Sequence, residues 1–376
     1  MTSSLYIHIP FCATKCSYCS FNSYAGLEVL QERYVDAVCA EMTDMALRGL
    51  VEPLRTVFLG GGTPSVLPRH LLRTLFSTLS ARFSLAKDAE ISMEINPGTV
   101  DSKKLECLQT AGVNRISFGV QSFDDRELKK IGRIHSAEEA VIAVAMAVEA
   151  GNDNVSLDLM YGLPGQTAVT WQRSLETALS LGVKHLSLYQ LTVEEKTPMQ
   201  KMIEEGGTCL PSEDELVAMD EVTRKLTRAS GFAQYEISNY AQTGYQCRHN
   251  IGYWRNESYF GFGAGAVSCL RGSRKRNVAD PLRYCELIEA GKSVIIEEET
   301  LEGADSLRET VIMGLRMNKG VSVSGLTGRY GINPVDYYGT TLQKLIATGL
   351  LEQEADFLFL TGRGRVFANM VMAELV

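Results

Sequence analysis

Three cysteines close to the amino terminus are spaced so that one short loop can present all of their thiols to a single metal centre. Cys12, Cys16 and Cys19 have the spacing C-x3-C-x2-C. Dense cysteine runs of this kind hold iron–sulfur clusters in ferredoxins. With three local ligands, a four-iron cluster keeps one iron without a protein thiolate. An open metal position of that kind can bind and activate a small molecule.

A structural zinc site and three unrelated core cysteines are the alternatives for this loop. Zinc sites usually combine two pairs of ligands, and the sequence has no second C-x2-C pair and no H-x3-H pair. The spacing therefore favours an iron–sulfur cluster over zinc. The other six cysteines are scattered, and most are expected to be small core residues.

Strand-like runs alternate with amphipathic, helix-like runs from Leu5 to about Val193, which predicts a parallel sheet covered by helices. The helix-like runs include Glu32 to Leu47 and Leu71 to Arg82. The six predicted strands are Leu5 to Ile9, Thr56 to Leu59, Glu90 to Ile95, Arg115 to Gly119, Val155 to Tyr161 and His185 to Leu191. Six βα units are too few for a closed eightfold barrel.

Glycines and polar residues follow several of these strands. The second strand runs into Gly60-Gly61-Gly62-Thr63, where glycine lets the backbone approach a ligand closely, although a tight turn alone is an equally good explanation. Asp158 lies between two leucines in an apolar run, and burying its carboxylate is costly unless it has a hydrogen-bonding partner such as a ribose hydroxyl. Glu94, Gln121 and Arg133 each have an ordinary explanation as capping or surface residues.

The run CATKCSYC resembles the signature of the radical S-adenosylmethionine (radical SAM) superfamily, whose members bind a 4Fe-4S cluster and chelate its fourth iron with SAM. The resemblance implies an α/β fold, a partial (β/α)6 barrel with its chemistry at the carboxyl ends of the strands. It also implies that Cys12, Cys16 and Cys19 bind the cluster. The residues implied to contact SAM are Tyr6, Tyr18, Gly61, Gly62, Thr63, Glu94, Gln121, Arg133 and Asp158.

A second motif, HNIGYW, begins at His249. From the residues alone it is a turn with a partly buried histidine. It is similar to the H-N-x-x-Y-W motif of HemW-like heme chaperones in the oxygen-independent coproporphyrinogen III oxidase family, which implies heme binding. We expect His249 to ligate the heme iron and Tyr253 and Trp254 to form an aromatic wall on the macrocycle, with Cys247 as the alternative ligand.

Two functions fit this resemblance: a heme carrier that delivers heme to unknown acceptor proteins, and a coproporphyrinogen III oxidase. The oxidases extend the cysteine motif to C-x3-C-x2-C-x-C and have a longer amino-terminal arm. This chain has Ser20-Phe21 after Cys19, and eleven residues precede Cys12. Both departures favour the carrier. However, Val267 stands where many relatives have a histidine after Gly-Ala, so this position cannot supply an axial histidine to the heme iron in this chain.

We divide the 376 residues into a barrel (1–195), a barrel-completing region with the HNIGYW motif (196–299) and a winged-helix-like domain (300–376). Residues 194–212 form a polar linker, and a helix from Glu213 to Ser230 and a strand from Phe232 to Tyr240 follow it. In the last domain we expect three helices, Ser306 to Leu315, Ser324 to Tyr330 and Tyr337 to Thr348. Two strands, Leu350 to Glu352 and Phe357 to Leu360, and then a last helix are expected to follow them.

Composition limits the function classes. The net charge of −8, and Asp336 with few basic residues near the third helix, make nucleic acid a poor partner. No transmembrane segment or secretory signal is expected. Nine cysteines without a disulfide-like framework indicate reduced thiols and a cytoplasmic protein.

The cysteine motif predicts that Cys16→Ser abolishes an oxygen-labile four-iron cluster, because each thiolate is needed to hold it. Iron and sulfide are measured after anaerobic reconstitution, with zinc measured in parallel. Wild-type iron and sulfide in the variant, or one zinc per chain in the wild type, would contradict the prediction.

Overall fold

Six parallel strands form most of an open nine-stranded sheet in the computed structural model, which describes residues 2–48 and 51–376. In chain order these strands are β1 (Thr2–Ile9), β2 (Val51–Gly61), β3 (Leu85–Ile95), β4 (Arg115–Gln121), β5 (Val155–Tyr161) and β6 (His185–Gln190). Strands that follow each other along the chain are neighbours in the sheet. The six predicted strands and the open α/β partial barrel are therefore confirmed.

Helices connect the strands and cover the sheet, which is why the middle strands are apolar over most of their length. The helices are α1 (Gln31–Leu47), α2 (Arg69–Arg82), α3 (Ser102–Thr110), α4 (Asp125–Lys130), α5 (Ala137–Glu149), α6 (Ala168–Ser180), α7 (Pro198–Glu204) and α8 (Glu213–Ala229). Several begin at a polar cap; Ser136 and Glu139, for example, form a capping box at α5. The helices predicted at Glu32 to Leu47 and Leu71 to Arg82 are confirmed.

The predicted polar linker, 194–212, is wrong in part because it contains α7. The Thr197 hydroxyl caps this helix and Pro198 occupies its first turn. Proline at that position favours a helix, because the amide hydrogen it lacks would have no partner there. Met199 is buried and fixes the helix against the barrel.

Three short strands extend the sheet at its two edges: β7 (Ala233–Gln234), β8 (Asn239–Ala241) and β9 (Phe260–Phe262). β8 pairs antiparallel with β6, and β9 pairs parallel with β1. The strand predicted from Phe232 to Tyr240 is instead the pair β7 and β8, because the chain turns where Glu236 accepts the Ser238 N–H. Between β8 and β9 lies α9 (Arg248–Trp254), which contains the HNIGYW motif.

A small antiparallel sheet follows β9. It consists of β10 (Val267–Leu270), β11 (Ser273–Asn277) and β12 (Ile295–Thr300), and α10 (Pro281–Glu289) lies between its last two strands. Glu41 of α1 holds this unit on the barrel. Its carboxylate accepts hydrogen bonds from the Gly263 N–H (2.9 Å), the Asn277 amide (2.8 Å) and the Tyr284 hydroxyl (2.5 Å).

The carboxyl-terminal region has the order of a winged helix: helix, strand, two helices, then a two-stranded wing, which confirms the prediction. Its elements are α11 (Gly303–Gly314), β13 (Val321–Ser322), α12 (Val323–Tyr330), α13 (Pro334–Ala347), β14 (Leu351–Glu354), β15 (Phe357–Leu360), α14 (Gly362–Val366) and α15 (Ala368–Ala373). Its buried residues, such as Leu307, Leu345 and Leu358, form a hydrophobic core separate from the core of the barrel. Within the described part of the chain, no helix is long and apolar enough to cross a bilayer.

We predict that Glu41→Ala lowers the free energy of unfolding by about 2–4 kcal/mol, because three buried donors from three different elements lose their shared acceptor. The measurement is chemical denaturation followed by circular dichroism. Glu289→Ala is the control, since Glu289 pairs with Arg33 at the surface (2.6 Å) and its removal should change little. Equal stabilities of Glu41→Ala and Glu289→Ala would show that the Glu41 contacts do not hold the unit in place.

Candidate cofactor and ligand site

The loop with Cys12, Cys16 and Cys19 follows β1 at the carboxyl edge of the sheet. Its ends are tied together by backbone hydrogen bonds between Cys12 and Tyr24 (2.9 Å) and between Tyr24 and Pro10 (2.7 Å). All three thiols are free and partly exposed. Within residues 2–48 and 51–376, no three His, Cys, Asp or Glu side chains are grouped closely enough to share a single ion.

The glycines that follow β2 touch this loop directly. The N–H of Gly62 donates to the Ile9 carbonyl (2.9 Å), and the N–H of Thr63 donates to the Phe11 carbonyl (2.8 Å). A Cβ atom on Gly62 would lie 2.7 Å from the Phe11 carbonyl oxygen and 2.9 Å from Cys12 Sγ. Only glycine fits there, because no other residue allows so close an approach.

A chain of polar contacts connects two of the cysteines through the ends of three strands. Thr63 Oγ1 donates to Cys12 Sγ (3.6 Å) and accepts from the Asn96 amide (2.8 Å). Arg133 donates to Asn96 Oδ1 (2.6 Å) and to Cys16 Sγ (3.5 Å). A sulfur that accepts such a bond is held in a fixed position. Sequence reasoning missed Asn96, whose only signal was its place two residues after Glu94.

Eleven of the thirteen predicted site residues line one cavity of about 120 Å³ at this edge of the sheet. They are Cys12, Cys16, Tyr18, Cys19, Gly61, Gly62, Thr63, Glu94, Gln121, Arg133 and Asp158. Two larger clefts, of about 680 and 550 Å³, lie on the outer surface along α2 and contain none of these residues. Because the predicted residues come together in the smaller cavity, it is the better candidate site despite its size.

The other two predicted residues, Tyr6 and His249, line a second cavity of about 340 Å³ inside the barrel. We call this cavity the inner chamber. Glu94 and Asp158 line both cavities, so the two are neighbours that share a wall. The inner chamber also contains residues that sequence reasoning did not select, among them Arg115 and His185. Both lie at the first position of a strand and gave no separate signal in the sequence.

Burial raises the pKa values of Glu94 and Asp158, the two carboxyl groups that line both cavities. Burial, together with the charge of Asp158, raises the pKa of Glu94 to about 8, although the Gly61 N–H donates to it (3.1 Å). Burial also raises the pKa of Asp158, against hydrogen bonds from the Ser187 and Ser117 hydroxyls. Near pH 7 Glu94 is therefore mostly protonated. The wall can both donate and accept hydrogen bonds, as a ligand with several hydroxyl groups requires.

His249 is more enclosed than the sequence suggested, with 3% of its surface exposed. Its Nδ1 is bonded to the Thr56 hydroxyl (2.8 Å) and its Nε2 to the Tyr253 hydroxyl (3.0 Å). Burial, and then the charge of Arg115, lowers the pKa of His249 to about 3. The imidazole is thus neutral at physiological pH, which is the form that ligates metals. Burial raises the pKa of the neighbouring Cys247 thiol to about 12, so its thiolate is strongly disfavoured.

α9 carries His249 and is fixed at both of its ends. Glu90 of β3 accepts hydrogen bonds from the backbone N–H groups of Arg248 (2.9 Å) and His249 (3.0 Å) at the amino end. At the other end the indole of Trp254 lies under the Arg316 guanidinium of the carboxyl-terminal domain, 4.5 Å from the ring centroid. Successive helical residues point in different directions, so of the two residues predicted to form an aromatic wall only Tyr253 lines the inner chamber. The wall on the macrocycle stays a prediction.

Comparisons with known proteins agree with this geometry. Residues 6–178 match the radical SAM superfamily, and residues 301–367 match the HemN C-terminal domain. The chain is 37% identical to the heme chaperone HemW of Bacillus subtilis, over 98% of this chain and 97% of that one. It is also 37% identical to HemW of Escherichia coli, again over 98% and 97% of the two chains. The solved structure of the coproporphyrinogen III oxidase HemN from Escherichia coli has the same fold, with a TM-score of 0.87, 23% identity and coverage of 99% of this chain and 89% of that one.

Proposed function

The chain belongs to the HemW family of the radical SAM superfamily, and from that premise we propose that it is a heme chaperone that binds heme and delivers it to acceptor proteins. In this proposal the chain also carries a 4Fe-4S cluster and SAM. One observation carries the proposal: the cysteine loop and the polar strand ends line one cavity, and the chamber with His249 adjoins it.

The residues of the loop fit a 4Fe-4S cluster. Cys12, Cys16 and Cys19 supply three thiols at one edge of the sheet, and Thr63 and Arg133 donate hydrogen bonds to two of the sulfurs. When bound, such a cluster has one iron free of protein thiolates and open to a small ligand. In this proposal the protein holds that edge rigid, which the short Gly62 contact and the backbone hydrogen bonds that close the loop support.

The proposed SAM site extends from the glycine turn across the ends of β3, β4 and β5. Gly61, Gly62 and Thr63 would receive the methionine end, where backbone N–H groups and the lack of side chains allow close approach. Around the rest of the molecule we place Tyr6, Tyr18, Glu94, Gln121, Arg133 and Asp158. Asp158 and the protonated Glu94 are suited to ribose hydroxyls, because together they offer an acceptor and a donor.

For heme, we propose His249 as the iron ligand. Its neutral imidazole suits haem iron, whereas the high pKa of Cys247 disfavours a thiolate ligand. Ligation requires His249 Nε2 to exchange its hydrogen bond with Tyr253 for the iron, and both residues line the chamber. The inner chamber of about 340 Å³ does not enclose a whole macrocycle, so heme binding in this proposal requires α9, which Glu90 and Arg316 hold at its two ends, to change position.

The alternative function is coproporphyrinogen III oxidase, whose Escherichia coli member shares this fold. At 23% identity this likeness concerns the fold, and the cysteine motif of this chain, with Ser20-Phe21 after Cys19, departs from the oxidase pattern. We therefore propose no oxidase activity. We also propose a cytoplasmic location, supported by the free cysteines, and no nucleic-acid partner, because α13 carries Asp336 and little positive charge.

The SAM proposal predicts that Asp158→Ala weakens SAM binding by about 1–3 kcal/mol, because a buried hydrogen bond to a ribose hydroxyl is lost. Calorimetric titration of the reconstituted protein measures the change, and the visible absorption of the cluster shows that it is intact. Asp153→Ala, in the turn before β5, is the matched control. An unchanged SAM affinity in Asp158→Ala would remove this residue from the site.

The chaperone proposal predicts one heme per chain in an anaerobic titration and no decarboxylation of coproporphyrinogen III in a parallel assay. His249→Ala should lose at least about tenfold in heme affinity and shift the Soret band, because the iron loses its ligand. Cys247→Ser should bind as the wild type does, and His70→Ala, on the exposed face of α2, is the control for a histidine outside the site.

Two results would count against this function. If the protein decarboxylates coproporphyrinogen III at the rate of a true oxidase, its function is that of the enzyme and the chaperone proposal is wrong. A folded His249→Ala protein with the wild-type Soret band and heme affinity would rule out His249 as the iron ligand. Loss of that band and affinity in Cys247→Ser would instead identify the Cys247 thiolate as the ligand.

A further inference from the structure

Arg115 is a buried cation that has no role in the proposed cluster site, SAM site or heme-iron ligation. It is the first residue of β4, it lines the inner chamber and 2% of its surface is exposed. Its Nε is fully enclosed without a hydrogen-bond partner, and its side chain donates to no residue within 2–48 and 51–376. A guanidinium carries five N–H donors, and a buried charge without hydrogen bonds is strongly unfavourable.

The acidic groups around Arg115 are committed elsewhere. Glu90 attracts Arg115 electrostatically, but both of its oxygens accept backbone N–H groups at the start of α9. Asp158 also attracts it, while its two oxygens accept from the Ser117 hydroxyl (3.1 and 3.3 Å). No carboxylate of the described residues lies within hydrogen-bond distance of the guanidinium.

The remaining groups of the inner chamber do not compensate this charge. His185 is bonded on both ring nitrogens, to the Ser156 hydroxyl (2.7 Å) and the Tyr235 hydroxyl (2.8 Å), and burial lowers its pKa. Among the described residues that line the chamber, Arg115 is the only one with a permanent positive charge. The amide of Asn250 also lines the chamber and makes no hydrogen bond within the described chain, so it is a second unused donor.

We propose that the inner chamber binds a carboxylate group, with Arg115 as its counter-ion. The carboxylate belongs either to a small organic acid or to a short acidic substituent of a larger ligand. A guanidinium binds a planar carboxylate through two parallel hydrogen bonds. A monoanion matches the single charge of Arg115, whereas the second negative charge of a phosphate dianion would have no counter-ion in the chamber and would be repelled more strongly by Asp158. The volume of about 340 Å³ holds a side arm and excludes a whole macrocycle.

This carboxylate has two sources. If the proposed function holds, a propionate arm of heme is one source, and the arm would anchor the macrocycle beside His249. A free short-chain acid is the other source, and it does not depend on heme binding. The two sources are distinguished by comparing heme with its dimethyl ester, which has no free carboxylate.

The test uses the full-length reconstituted protein as wild type, Arg115→Gln and Arg115→Lys. Arg173→Gln, on the exposed face of α6, is the matched control. Sodium propionate, compared with sodium chloride at equal ionic strength, should raise the Tm of the wild type and of Arg173→Gln, because a ligand of the folded state stabilises it. Arg115→Gln should show no such rise.

Heme titrations then identify the source. A loss of about tenfold or more in heme affinity in Arg115→Gln, with equal binding of the dimethyl ester to both proteins, assigns the site to a heme propionate. Unchanged heme affinity together with a lost propionate effect assigns it to a free acid. A wild-type protein that responds to propionate but binds no heme refutes the proposed function and leaves the carboxylate site standing.

The proposal is overturned if propionate raises the Tm of wild type and Arg115→Gln equally and heme affinity is also equal. Circular dichroism shows whether Arg115→Gln folds. If it does not, Arg115→Lys decides, because a single ammonium replaces the two-pronged donor and the propionate effect should be smaller than in the wild type. An effect of wild-type size in Arg115→Lys then contradicts the proposal.

Discussion

The contact between the glycine turn after β2 and the cysteine loop after β1 is the constraint on which the site depends. Gly62 donates to the Ile9 carbonyl, and its Cα lies so close to Phe11 and Cys12 that no side chain fits between them. Because β1 and β2 are adjacent parallel strands, their carboxyl ends bring the loop and the turn to the same edge. Asn96 and Arg133 extend this edge through hydrogen bonds, and the cavity opens where these groups meet.

The region after β6 completes the barrel and also provides the wall of the inner chamber. β8 and β9 pair with opposite edges of the sheet, and α9 between them places His249 over β2. The carboxyl-terminal domain has its own core but holds the far end of α9 through Arg316 and Trp254. Movement of that domain would therefore act on the helix that carries His249.

Local patterns predicted much of this architecture. Runs of four to seven residues identified β1 to β6. The cysteine spacing, together with the resemblance to the radical SAM superfamily, identified eleven residues that share a cavity. The inner chamber was harder to predict because its residues come from distant parts of the chain. Arg115 resembles any polar residue at the start of a strand, and its burial results from the packing of α9 over the barrel.

Other differences arose where short elements depend on tertiary contacts. β9 has three residues, too few for a periodic pattern, and it exists because β1 offers an unpaired edge. The spacing of Trp254 from His249 predicts a place beside the heme, yet its indole packs against Arg316, more than sixty residues later in the chain. Such contacts leave no signal near the residue itself.

The cap that Glu90 forms on α9 has a consequence for the order in which the molecule is assembled. It joins groups 158 and 159 residues apart in the chain, and contacts of such long range form late because a long loop must close first. α9 has seven residues and is too short to be stable alone. A growing chain therefore completes its cysteine loop, glycine turn and central strands before His249 reaches its buried position. The histidine acquires its low pKa only in the finished fold, so an incomplete chain exposes an ordinary histidine in place of the enclosed imidazole.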